Sequence, residues 1–157
     1  MKDLNGKIAV VTGGGTGMGR ELVCQLISEG AHVAMCDVFE DNMRETATLA
    51  EPSDGQRLTS HLCDVSNEAQ VNRFRDEVVE QHDTDHINLL FNNAGIGGGG
   101  EFVNIDREEW ERTFGVCWYG VFYNCLAFMP LLVASEEGHV INTSSVNCLT
   151  SVRLASW

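Results

Sequence analysis

Hydrophobic positions along this chain follow two alternating rhythms. Short runs rich in β-branched residues recur at 7–13 (KIAVVTG), 32–38 (HVAMCDV), 57–65 (RLTSHLCDV), 87–95 (INLLFNNAG) and 139–145 (HVINTSS), and each predicts a strand. Stretches with helical spacing lie between them. Met18, Leu22, Val23, Leu26 and Ile27 form an inner stripe from Gly17 to Glu29, with Gly30 placed to end that helix. A weaker helix covers 41–50. A third has Val71, Phe74 and Val78 on its inner face and Ser66 as its expected cap. Asp106, with Glu109 three residues on, opens a long helix over 107–134. The IGGGG run at 96–100 has almost no side chains to fix it and reads as a flexible loop bordering the active-site mouth.

Strand and helix alternate from end to end. That pattern predicts an α/β fold with a doubly wound parallel sheet covered on both faces. No linker, repeat or shift in composition divides the chain, so residues 1–157 read as one domain.

Charge narrows the partners. The net charge is −13, from 23 acids against 10 bases. Such a surface repels phosphate backbones and anionic lipid, so nucleic acid and membrane are not expected partners. Gly115 to Ser135 is uncharged and long enough to span a bilayer. Asn124 and Pro130 interrupt it and no base flanks it closely, so it reads as a buried helix, partly in a subunit interface. Six cysteines, at 24, 36, 63, 117, 125 and 148, form no CxxC pair. They read as buried free thiols of a reducing compartment, with a disulfide framework or a zinc site as the alternatives. The start, MKDLNGKIAVV, lacks the apolar core of a signal peptide, which adds to a cytoplasmic expectation.

The sharpest chemical signal is TGGGTGMG at 12–19, between the first strand and the first helix. Glycines allow a tight turn and let the backbone approach a diphosphate without a Cβ in the way. The helix start near Gly17 offers free N–H groups and the positive end of a dipole. Asp37 ends the next strand, eighteen residues after Gly19. An acid there can accept hydrogen bonds from both ribose hydroxyls of an adenosine and would repel a 2′-phosphate. Neither Thr16 nor Val38 is basic, so NAD is expected before NADP. A glycine turn with no ligand is the plain alternative.

With TGGGTGMG at 12–19, CDV at 63–65, NNAG at 92–95 and INTSS at 141–145, the chain resembles the short-chain dehydrogenase/reductases over its whole length. The resemblance implies a Rossmann fold and a role for each matching position. Gly13, Gly15, Thr16, Gly17, Met18 and Gly19 would surround the dinucleotide phosphates. Asp37 and Val38 would meet the adenosine ribose, and Asp64 and Val65 the adenine. Asn93, Ala94 and Gly95 would pass the nicotinamide side and steady the central strand. Ser145 would be the catalytic serine that hydrogen-bonds the substrate oxygen. Asp64 could instead cap a strand end, and Ser144 rather than Ser145 could face the site. The implied reaction is hydride transfer between nicotinamide C4 and an alcohol or carbonyl carbon, with no metal.

In that family a tyrosine acts as general acid/base, and a lysine four residues later lowers its pKa. Counting about thirteen residues from Ser145 passes Trp157, so the chain is expected to be truncated after the fifth strand, short of that pair. Lys2 and Lys7 precede the glycine loop, and Tyr119 and Tyr123 fall on the long helix, where packing is their expected work. Cys117 stands where the family often has an asparagine that holds a relay water, and a thiol is a poorer partner for it. Family sheet order 3-2-1-4-5-6-7 implies an open edge after strand five and a homo-oligomer through the 107–134 helix. The competing expectation is a nucleotide-binding remnant without turnover. A methyltransferase or epimerase of similar fold fits less well, because NNAG and INTSS argue against it.

Overall fold

The structure is a computed structural model and describes residues 2–98 and 106–145. The expectations for Gly99, Gly100, Cys148 and the final LASW stretch lie outside the described residues. The elements run β1 (Ile8–Thr12), α1 (Gly17–Ser28), β2 (His32–Asp37), α2 (Glu40–Ala50), β3 (Leu58–Leu62), α3 (Glu68–His82), β4 (Leu89–Asn92), α4 (Arg107–Phe114), a π turn (Gly115–Tyr119), α5 (Gly120–Ala134) and β5 (His139–Asn142).

All five strands are parallel, in the order β3-β2-β1-β4-β5. The sheet is apolar on both sides because each face has its own helices. Ile8 and Val10 of β1, with Ala34 and Cys36 of β2, face one core with Val71, Phe74, Val78, Phe128 and Leu132 of α3 and α5. Their neighbours Ala9, Val11, Val33 and Met35 face the other, with Val23, Leu26 and Ile27 of α1 and Met43 of α2. Period-two alternation between two dry faces is why β1 reads as an unbroken apolar run.

Helix ends obey local chemistry. Gly30, at φ +88°, closes α1: its amide donates to the Ile27 carbonyl, and the Ala31 amide donates to that of Leu26. Only a residue without a Cβ adopts that left-handed turn cheaply. The cap of α3 is Asn67 and not Ser66; Asn67 Oδ1 accepts from the Gln70 amide at 3.2 Å. Ser66 instead donates its hydroxyl to Asp64, one residue too early to reach the helix. Asp106 caps α4 as expected, accepting from the Glu108 amide.

The expected single helix over 107–134 is interrupted. Five residues, Gly115–Tyr119, form a π turn, a wider loop of backbone than the helix on either side. On α5, Gly120, Asn124, Ala127, Phe128 and Leu132 are buried, whereas α4 buries nothing and every residue of β5 is exposed. By length and composition alone, Arg107–Ala134 could cross a membrane. In this fold its buried residues complete the core over β4 and α3.

Candidate functional site

The C-terminal ends of the strands carry the chemistry. β1 runs straight into the glycine turn, which is anchored by β2: the amides of Gly13 and Gly14 both donate to the Cys36 carbonyl. Gly13, at φ +69°, lies so close to Ala94 that an added Cβ would come within 2.8 Å of its Cα. At Gly19 a Cβ would sit 2.0 Å from the Gly13 carbonyl oxygen. Both must be glycine for the turn to close. Gly17 differs: it too has positive φ, but the space around it is open. Thr16 caps α1 without a side-chain bond, and no acid occupies the first turn. The opening amides of α1 therefore lack intrahelical acceptors and face that open space, a seat for an anion.

Asp37 holds the turn from the neighbouring strand. Its Oδ2 accepts from the Gly15 amide at 3.0 Å and its Oδ1 from the Phe39 amide at 3.2 Å. From beneath, Arg20 donates to the Gly15 carbonyl at 2.7 Å and to Glu45 at 2.7 Å, while its Nε also reaches the buried Thr46 hydroxyl. Arg20 went unread in the sequence because it points back under the loop, and only the packing of α2 against α1 brings Thr46 and Glu45 to it.

The turn after β4 is stitched to the turn after β1. Thr12 Oγ1 accepts from the amides of Asn93 and Ala94, both at 3.0 Å, and donates to the Phe91 carbonyl at 3.3 Å. Asn93 Nδ2 donates to the Thr12 carbonyl at 3.1 Å, and its Oδ1 accepts from Thr143 beyond β5. Asp64 serves its own turn, with Oδ1 accepting from the Ser66 amide and hydroxyl at 2.9 and 2.7 Å. That is the strand-end role left open by the sequence, and it leaves Oδ2 facing outward.

These turns enclose an open cavity of about 350 Å³. Of the expected residues, Gly13, Thr16, Met18, Gly19, Asp37, Val38, Asp64, Val65, Asn93, Ala94 and Gly95 line it. Gly15 and Gly17 shape the turn without lining it. Ser145 does not line it either: it is exposed, three residues beyond the end of β5. Phe39, Cys63, Ile96 and Val116 line it and were not expected. Val116 reaches the wall from the π turn, as does Cys117 nearby, whose thiol donates to the Ile96 carbonyl at 3.6 Å. Cys117 is exposed, so the expectation of buried thiols holds for Cys36 and Cys63 but fails there. Cys24 and Cys125 are partly buried.

The candidate acid/base residues within the chain lie elsewhere. Lys7 pairs with Glu137 at 3.7 Å, at the opposite end of β1. Tyr119 and Tyr123 stack on each other, centroids 5.7 Å apart, and neither lines the cavity.

Known proteins carry the same arrangement. The chain is 37% identical over 155 residues to a Mycobacterium tuberculosis protein provisionally named as the oxidoreductase SadH, covering 97% of this chain and 54% of that one. It is 30% identical over 151 residues to human epidermal retinol dehydrogenase 2, covering 96% and 48%. A Burkholderia phymatum short-chain dehydrogenase/reductase solved with NAD superposes with a TM-score of 0.89 at 35% identity, over 97% of this chain and 53% of that one. A metagenomic short-chain oxidoreductase solved with NADP gives 0.82 at 31%, over 90% and 63%. The chain thus spans about half the length of the curated relatives it matches. The family model for short-chain dehydrogenases matches residues 7–156. With the glycine turn, the Asp37 brace and the strand order all in agreement with that match, the chain belongs to the short-chain dehydrogenase/reductase family.

Proposed function

We propose that this chain is the dinucleotide-binding part of an oxidoreductase that moves a hydride between a nicotinamide and the carbon of an alcohol or carbonyl substrate, using NAD before NADP. The observation that carries the reading is the cavity at the C-terminal end of the sheet. Its floor is bare backbone at Gly13 and Gly19, its mouth opens at Gly17, and two acids stand on its wall. A dinucleotide fits that donor set: amides for the diphosphate, carboxylates for hydroxyls and an amine, apolar Val38, Val65 and Ile96 for ring faces.

Each residue then has a task. The first amides of α1 bind the diphosphate. Asp37, already rigid through Gly15 and Phe39, accepts from the adenosine ribose hydroxyls. Asp64 and Val65 border the adenine. Asn93, Ala94 and Gly95, locked by Thr12, form the wall beside the nicotinamide. Ser145 donates to the substrate oxygen and orients it. The bound nicotinamide supplies the chemistry itself, accepting or delivering hydride at C4. The preference for NAD rests on charge. The described lining holds Asp37 and Asp64 and no lysine or arginine, and Arg20 is already engaged by Gly15 and Glu45. A 2′-phosphate beside Asp37 would meet a like charge without compensation.

The same reading extends to assembly and place. The apolar side of α4 and α5, with Trp118, Phe122, Leu126 and Val133 exposed, supports a homo-oligomer formed through 107–134 in the cytoplasm.

Titration calorimetry with NADH and NADPH tests the proposal. NADH is expected to bind the more tightly. Asp37→Ala should weaken NADH by roughly tenfold to a hundredfold, about 1.5–3 kcal/mol for hydrogen bonds to a charged group, and weaken NADPH less. Folded protein that ignores millimolar NADH, or that prefers NADPH, would sink the reading. Light scattering on the same sample checks the oligomer.

A further inference from the structure

A second cavity, about 420 Å³, opens at the other end of the sheet. It is bordered by Ile8, His32 and Arg57, where β1, β2 and β3 begin, and by His82, Asp83, Thr84 and His86, where α3 ends. Nothing in the dinucleotide reading uses it.

Its wall ends a buried polar chain. Glu77 lies 2.8 Å from His61 Nδ1; His61 Nε2 lies 2.8 Å from Thr59 Oγ1; Thr59 Oγ1 lies 2.9 Å from His82 Nε2. His61 and His82 are only 2% and 4% exposed. Each proton is fixed by the one before it. An ionised Glu77 can only accept, so His61 carries its proton on Nδ1 and leaves Nε2 as an acceptor. Thr59 must then donate to His61, and its oxygen accepts from His82 Nε2–H. His82 Nδ1 is left as a bare lone pair, and among the described residues it has no hydrogen-bond partner. Burial, with His32, His61 and Arg57 close by, pushes His82 down to about 4, so it stays neutral near pH 7.

A buried acceptor with no donor costs about 1–3 kcal/mol, and a ligand that donates to it removes that cost. The rest of the wall names the ligand's other half. Arg57 supplies the permanent positive charge, held there by its Nη1 bond to the His82 carbonyl and its amide bond to His32 Nδ1 at 2.9 Å. Asp83, exposed on the same wall, is a second acceptor and disfavours an anion with no proton to offer. No three His, Cys, Asp or Glu side chains among the described residues are placed to hold a metal, so the histidines do not make a cation site.

We propose that this cavity binds a small phosphate-type oxyanion carrying an O–H, with the anionic oxygens on Arg57 and the hydroxyl donating to His82 Nδ1. The occupant is either inorganic phosphate, through its own P–O–H, or a small phosphate ester with a carbon hydroxyl.

Calorimetry with inorganic phosphate and with sulfate at pH 7 separates this site from mere anion attraction, because sulfate carries no proton there. Phosphate is expected to bind with a Kd on the order of 1 mM, and sulfate at least about tenfold more weakly. Arg57→Gln, at an exposed position, should weaken phosphate by about tenfold, and saturating NADH should leave phosphate binding unchanged. In nitrogen NMR the His82 Nδ1 resonance should move as phosphate is added. Glycerol 2-phosphate binding more tightly than phosphate assigns the occupant to an ester, and weaker binding assigns it to phosphate itself. Equal binding of sulfate, competition by NADH, an unchanged Kd in Arg57→Gln, or no phosphate binding at roughly 20 mM would each overturn the proposal.

Discussion

The two flanks of this sheet are built to different standards. On the β1-β2-β3 side, β1 is buried along its whole length, β2 along its middle four residues, and three helices close over the faces. On the β4-β5 side, β5 is exposed throughout, α4 buries no residue, and Trp110, Phe114 and Trp118 stack on one another in the open. Local aromatic stacking there substitutes for a core. The first flank can hold its shape alone, and the dinucleotide cavity is assembled mostly from it. The second presents apolar area of the kind that other protein surface covers.

Substitutions should make that contrast measurable. Phe74 is buried between His61 and Phe128, its ring centroid 4.9 and 5.4 Å from theirs. Phe74→Ala should cost about 3–5 kcal/mol in denaturant unfolding. Trp118→Ala, at a residue 63% exposed, should stay within about 0.5 kcal/mol. Comparable losses at both positions would mean that the second flank is already covered in solution.

Acid should attack the first flank through His82. Its pKa falls from 6.5 to about 4 on folding, so the unfolded chain takes up the proton first as pH drops. Stability from this group is fully present above pH 6.5 and is lost progressively down to pH 4. The loss approaches about 3 kcal/mol at 1.36 kcal/mol per pH unit. His61, also lowered by burial against the opposing pull of Glu77, acts in the same sense. Unfolding free energies measured from pH 7.5 to 4 should show the slope, and His82→Gln should flatten it.

The seam between the flanks is the Thr12 hydroxyl. Thr12→Val leaves the amides of Asn93 and Ala94 without their acceptor, at an expected cost of about 1–3 kcal/mol. Faster hydrogen exchange at those two amides would locate the damage. The weakest link across the molecule is the Lys7–Glu137 pair, half exposed at 3.7 Å. Lys7→Ala should change stability by less than about 0.5 kcal/mol.

Much of this was legible in the residues, and the reason differs from place to place. The glycine turn, Asp37 and the five strands were readable because each depends on local rules: backbone freedom, β-branching, period two. Asn67 was missed in favour of Ser66 because both are good caps and one residue of register decides between them. The π turn left no trace, since its sequence GVCWY carries no glycine or proline pair that would demand it. Arg20 beneath the loop and the His61–Thr59–His82 chain are products of packing between distant segments. The placement of Ser145 outside the cavity likewise depends on the path of the chain after β5, which spacing alone does not set.

The π turn constrains α5 through length rather than chemistry. One residue more or fewer in Gly115–Tyr119 would rotate everything downstream by about 100°. Asn124, Phe128 and Leu132 would swing off the sheet, and Val133, now in the open, would turn toward it. Side chains in that stretch can therefore be exchanged with modest consequence, but insertions and deletions cannot. Its residue count acts as a gear that keeps the second half of the helix in mesh.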